Sequence, residues 1–86
     1  MENFEVVWAK IVHHKGEQFF TKTNIPFTYR IEGNSVVPDR TDYPIAKSQF
    51  QKAMQLMPLP GPGVINNIVR GPAYVYAILT DDRMKN

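Results

Sequence analysis

Cysteine is absent from the 86 residues. Disulfide bonds, thiolate metal sites and cysteine nucleophiles are excluded with it. Small secreted domains often need such covalent staples, so the composition leads us to expect a cytoplasmic protein. The opening residues Met1-Glu2-Asn3-Phe4-Glu5 are acidic, the reverse of a targeting region. No apolar run approaches the ~20 residues that span a bilayer. A strong charge of either sign is missing too. Ten Lys and Arg stand against eight Asp and Glu, a formal net charge of +2. The basic residues occur singly along the chain, without the clustered face of a dedicated nucleic-acid binder.

The motifs of common chemistries are equally scarce. There is no P-loop, G-x-G-x-x-G, G-x-S-x-G or H-E-x-x-H pattern. His13 and His14 are the only histidines, and on a strand neighbouring side chains point to opposite faces. They lack the further ligands that a metal site requires, so we expect neither a metal nor another cofactor. The carboxylates Glu32, Asp39 and Asp42, near Arg40, read as solvated turn residues, since no nucleophile or pocket accompanies them. Gly61-Pro62-Gly63 is unsuited to phosphate, because proline removes a backbone donor that such a loop uses. Pro58-Leu59-Pro60-Gly61-Pro62 has no P-x-x-P spacing and reads as a connector.

What remains is pattern. With 43% hydrophobic and 21% charged residues the chain is ordinary for a globular protein, and its length makes residues 1–86 a single domain. Phe4 to His13 alternates as a strand that is apolar on both faces in its middle. His14-Lys15-Gly16-Glu17 is a turn, and Glu17 to Thr23 returns to form a first hairpin. Pro26 introduces Phe27 to Glu32, where Phe27, Tyr29 and Ile31 alternate with Thr28, Arg30 and Glu32. Gly33-Asn34 makes the two-residue turn of a second hairpin. Ser35 to Asp39 closes it, with Pro38 marking an edge or an end.

The second half of the chain is helical in pattern. Ser48 and Gln51 match a capping box at the start of a helix. Phe50, Ala53, Met54 and Met57 form its apolar stripe, and Pro58 stops it. Pro62 to Val69 has the signature of a short second helix, with Gly61 before it, Gly71 after it and Val64, Ile65, Ile68 and Val69 on the apolar face. Residues 73–80 favour a third helix after Gly71-Pro72, with a fifth strand as the alternative. Residues 81–86 read as a frayed polar tail. The expected architecture is α+β, with two N-terminal β-hairpins in one antiparallel sheet and two or three short helices packed on one face.

The stretch Tyr43–Thr80 holds no Asp or Glu, and its only charges are Lys47, Lys52 and Arg70. It carries more apolar surface than one face of a small sheet buries. This leads us to expect a small non-enzymatic interaction module that self-associates through residues 43–80, or that binds another protein there, with Tyr74, Tyr76, Met54 and Met57 at the interface. The alternative is weak nucleic-acid binding. Sheet aromatics such as Trp8, Phe19, Phe27 and Tyr29 would then lie beside Lys10, Lys22, Arg30, Lys47, Lys52 and Arg70. An enzyme would require a pocket in which His13 or His14 meets a carboxylate.

Overall fold

The computed structural model describes residues 3–85. Its architecture is α+β, with antiparallel strands between helices. The first element corrects the expected strand: Phe4–His13 is an α-helix, α1. Phe4, Val7, Trp8 and Ile11 fall on one helical stripe, and the last three are buried. The strand face expected from Phe4, Val6 and Trp8 would have buried Val6, which is instead 47% exposed. Asn3 caps α1 by accepting the Glu5 N–H at 2.7 Å. Glu5 in the first turn, with Lys10 and His13 in the last, complements the helix dipole.

Two hairpins are present, but only the second is the expected one; the first pairs different strands. β1 is Phe19–Phe20 and β2 is Pro26–Phe27, paired antiparallel in a two-stranded sheet. The expected partner of residues 17–23 was the N-terminal segment, which α1 now occupies. The chain instead reverses at Asn24, whose φ of 66° puts it in the left-handed region. Thr21 holds that turn by accepting the Ile25 N–H on Oγ1 at 3.1 Å. β3 is Tyr29–Glu32 and β4 is Ser35–Pro38, joined through Gly33-Asn34 as the sequence predicts. A short β5, Ile45–Ala46, adds to β4 opposite Ser35 and Val36. Among the described residues there are thus two small sheets where one was expected. Pro38 lies at the end of β4, beyond the reach of β5, where its missing N–H costs nothing.

α2 spans Lys47–Met54 and opens directly from β5. The expected capping box does not form: Ala46 occupies the cap position, with no side-chain hydrogen bond. Phe50 and Ala53 are fully buried, and Met54 and Met57 pack partly against them. The second expected helix is reduced to a 3-10 turn, Pro62–Ile65, which keeps the predicted Gly61-Pro62 start. Ile65 and Val69 are buried, whereas Val64 and Ile68 are exposed, so the expected four-residue apolar face is split. α3, Pro72–Leu79, is the helix favoured by the sequence. Among the described residues of the expected frayed tail, 81–85 are held in place. Asp82–Met84 forms a 3-10 turn and buries Met84 against the core. Asn86 lies outside the described residues, as do Met1 and Glu2.

One core unites these pieces. α2 packs against α1 and α3, while α3 also touches β1 and the 62–65 turn. Trp8 meets Phe50 at 6.0 Å between ring centroids, and Tyr74 sits edge-on to Phe27 at 5.0 Å. Tyr29 closes the end of α1. Its hydroxyl donates to the Ile11 carbonyl, which lacks a backbone donor because the Lys15 N–H turns to Val12. The Tyr29 carbonyl in turn accepts the Gly16 N–H at 2.9 Å. Burial pushes the Tyr29 hydroxyl above the ordinary tyrosine range.

Two glycines separate backbone strain from crowding. Gly33 and Gly71 both have positive φ, near 60°. A Cβ at Gly33 would meet nothing within 4 Å, whereas one at Gly71 would lie 2.7 Å from Ile45 Cδ1. Gly33→Ala is expected to cost about 1 kcal/mol from backbone strain. Gly71→Ala should cost a further ~1–3 kcal/mol, because Ile45 is fully buried and must shift. Equilibrium urea unfolding of the two variants checks this. Equal losses would mean that the Ile45 contact relaxes freely.

Candidate functional site

The most concentrated polar arrangement lies where the end of α1 meets the C-terminal turn. α1 terminates at His13, and His14 follows as its cap. Gly16, at φ 85°, turns the chain so that Glu17 comes back beside His14. His14 Nδ1 and Glu17 Oε2 lie 3.0 Å apart. The other Glu17 oxygen accepts from Arg83 Nη1 at 3.1 Å. Arg83 is held on its own turn by Asp81, whose carboxylate receives Nε at 2.9 Å and Nη2 at 3.0 Å. Asp81 also caps that turn by accepting the Arg83 backbone N–H at 2.9 Å. The remaining reach of Nη2 goes to the Gln18 carbonyl at 2.9 Å. The flat guanidinium lies over the Phe19 ring, 3.6 Å from its centroid.

The electrostatics follow from these contacts. Hydrogen bonding from His14, then from Arg83, holds the Glu17 carboxyl below its usual range. Arg83 does the same for Asp81, and the two carboxylates raise the Arg83 guanidinium in return. Each carboxylate therefore contributes stability that is complete above its ordinary value and lost as pH falls through its lowered one. His13 meets the His14 ring edge-on at 4.9 Å. No hydroxyl or amine nucleophile bonds to His14 among the described residues. No group of three His, Cys, Asp or Glu there could hold a metal ion. What this geometry accomplishes is to fasten the C-terminal turn to α1 and β1.

The basic residues considered for nucleic acid meet different partners within the chain. Lys10 reaches the carbonyls of Met84 at 3.5 Å and Lys85 at 3.3 Å. Lys22 donates to the Pro60 carbonyl at 3.3 Å, and Arg30 pairs with Glu32 on β3. Lys47 bonds Glu5 at 2.9 Å and lies over the Trp8 ring, joining α2 to α1. Arg70 covers the Tyr43 ring at 4.6 Å. Lys52 is exposed on α2. Asp39 bonds the Thr28 N–H at 3.1 Å and extends the β3–β4 pairing, while Asp42 and Arg40 are exposed. Tyr74, Tyr76, Met54 and Met57 are all partly buried against the core.

Residues 53–69 are a second stretch of note. This stretch contains no Asp, Glu, Lys or Arg at all. Leu56, Val64 and Ile68 are exposed on it, by 43%, 48% and 44%. Around them Gln55, Gly63, Asn66 and Asn67 are exposed as well. The sequence carried this signal in its run of uncharged residues, but a continuous helix over 62–69 would have turned Val64 and Ile68 inward. The shorter 3-10 turn leaves them outside. No helix among the described residues is long and apolar enough to cross a membrane. Comparison with family models, curated proteins and solved structures gives no match.

The Arg83 contacts carry a testable weight. Arg83→Met keeps an apolar chain over Phe19 and removes every hydrogen bond. The loss is expected at about 1–2 kcal/mol, the lower part of the range for charged hydrogen bonds, because Arg83 is partly exposed. That corresponds to a Tm lower by at least ~4 °C for a domain of this size. An unchanged Tm in a thermal melt would show that the cluster does not contribute to stability.

Proposed function

We propose that this chain is a small interaction module, without catalysis of its own, that pairs with a second copy through the face formed by residues 53–69. The observation behind this reading is the exposure of Leu56, Val64 and Ile68 within a stretch that has no charged residue. Single apolar side chains on a surface are ordinary, but three within one charge-free stretch have the composition of an interface core. The absence of charge argues for a second copy as partner. Two-fold pairing sets a patch against itself, so a patch of one charge sign repels itself and an uncharged one does not. Lys52 and Arg70 border the stretch and belong at a wet rim, where salt screens them. Met54 and Met57, partly buried within the stretch, supply adaptable packing. The lack of cysteine fits a reducing, cytoplasmic setting.

Weak nucleic-acid binding is the alternative, and it has less support. Lys10, Lys22, Arg30, Lys47 and Arg70 already engage carbonyls, carboxylates or a ring within the chain. Salt separates the two readings. Association through an uncharged apolar face holds or strengthens as salt rises, whereas oligonucleotide binding weakens steeply.

Sedimentation equilibrium at low and high salt should therefore show a monomer–dimer equilibrium that salt does not dissolve. Ile68→Asp should weaken it by at least about tenfold, the effect of ~1.4 kcal/mol. The same change at this exposed position should leave the monomer within about 0.5 kcal/mol of its original stability. A strict monomer at every concentration, or a dimer indifferent to Ile68→Asp, would overturn the proposal. Fluorescence anisotropy showing salt-sensitive oligonucleotide binding would put the second reading in its place.

A further inference from the structure

We propose that residues 81–85 form an acid-released strap, which at neutral pH closes over Phe19 and the end of α1 and at low pH lifts away while the rest of the core stays folded. This goes beyond the self-association reading and uses a different face. The strap's contacts with the rest of the molecule are concentrated in one place. Arg83 reaches Glu17, Gln18 and Phe19, and Lys10 reaches back to the Met84 and Lys85 carbonyls. Met84 supplies the apolar component and is 4% exposed. Apart from Met84, the strap is held by charge, and its charged contacts beyond its own residues fall on the α1–β1 junction.

The rest of the molecule is built otherwise. Ile11, Ile45, Phe50, Ile65, Val75 and Ile78 are fully buried within one apolar cluster. Away from the strap and the His14–Glu17 contact at its seat, the ion pairs among the described residues are Arg30–Glu32 and Lys47–Glu5, and all four side chains are well exposed or partly so. Pairs of that kind are each worth only about 0–1 kcal/mol. Acid therefore removes concentrated interactions at one place.

The charges facing the strap set its response to acid. Asp81 and Glu17 are the two carboxylates that Arg83 spans. Lys85 pairs with Asp82 inside the strap at 3.1 Å. On the opposing side are Lys10, His14, His13 behind it, and the buried Tyr29 hydroxyl bonded to Ile11. Protonating Glu17 and Asp81 removes the carboxylates that hold Arg83, leaving Arg83 and Lys85 as positive charges on the strap beside Lys10, so the charged attraction that closes it is lost. Both carboxylates are held low in the folded chain, so the strap stays closed through the ordinary carboxylate range and opens below it. Local opening of this kind draws on a small part of the structure and needs less free energy than global unfolding.

Methyl NMR on the intact chain, labelled at methionine and isoleucine, reads the two parts separately. Met84 is assigned with Met84→Leu. As pH is lowered from 7, the Met84 methyl should leave its native position with a midpoint below about pH 4, the ordinary carboxylate value. The docked Met84 signal should be lost through that transition. The Ile65 and Ile78 methyls should keep their native positions through that transition. Asp81→Asn keeps a capping oxygen without the charge, and should loosen Met84 already at neutral pH. A single transition shared by Met84, Ile65 and Ile78 would overturn the proposal, as would a Met84 methyl unmoved by acid.

Discussion

The ring of Phe19 is where both sheets and the C-terminal turn meet. It is fully buried, 6.0 Å from the Phe27 ring and 5.3 Å from the Tyr29 ring, with Arg83 across its remaining face. β1 and β2 are two residues each, too short for their ladder to hold them together in water. Side-chain packing must supply what the backbone lacks. Phe27 belongs to the same two-stranded sheet as Phe19, and Tyr29 to the neighbouring three-stranded one. The phenyl ring therefore couples two sheets that share no strand. Tyr29 then passes the restraint to α1 through the Ile11 carbonyl.

How much of this was legible depended on how local each signal was. Gly33-Asn34 demanded a turn from its own two residues, and the turn is there. Gly71-Pro72 punctuated a helix start, and α3 begins at Pro72. α1 was ambiguous because Phe4 to Val12 satisfies a period of two and a period of 3.6, and Val6, Val7, Ile11 and Val12 favour strands intrinsically. Burial of Val7, Trp8 and Ile11 in the common core decided for the helix, a tertiary effect that no window of sequence contains. Asn3, Glu5 and the late Lys10 and His13 were the local pointers to it. β5 is too short to leave a periodic trace. Met84 is one apolar residue among polar ones, and its burial depends on contacts from the far end of the chain.

The candidate surfaces divide in the same way. The charge-poor character of residues 43–80 was evident from composition, but which side chains it leaves outside depended on a helix shrinking to a single 3-10 turn. The cations could be enumerated but not located, and the structure disperses them among carbonyl, carboxylate and aromatic partners. The outcome is a molecule with its densest polar network at the α1–C-terminal junction and a long uncharged stretch elsewhere. A net charge of only +2 adds little repulsion between copies of such a chain.

The bond from Lys10 to the Met84 carbonyl joins residues 74 positions apart. During synthesis at roughly 5–20 residues per second, α1 emerges on the order of 4–15 s before the segment that covers its end. Throughout that interval the helix has its own cap at Asn3 and its own dipole complement, but no finished seat. The N-terminal segment, which reads equally well as a strand, thus waits longest for the contact that completes its surroundings. Its helical state early in the chain's life must rest on Phe50 and the arrival of α2.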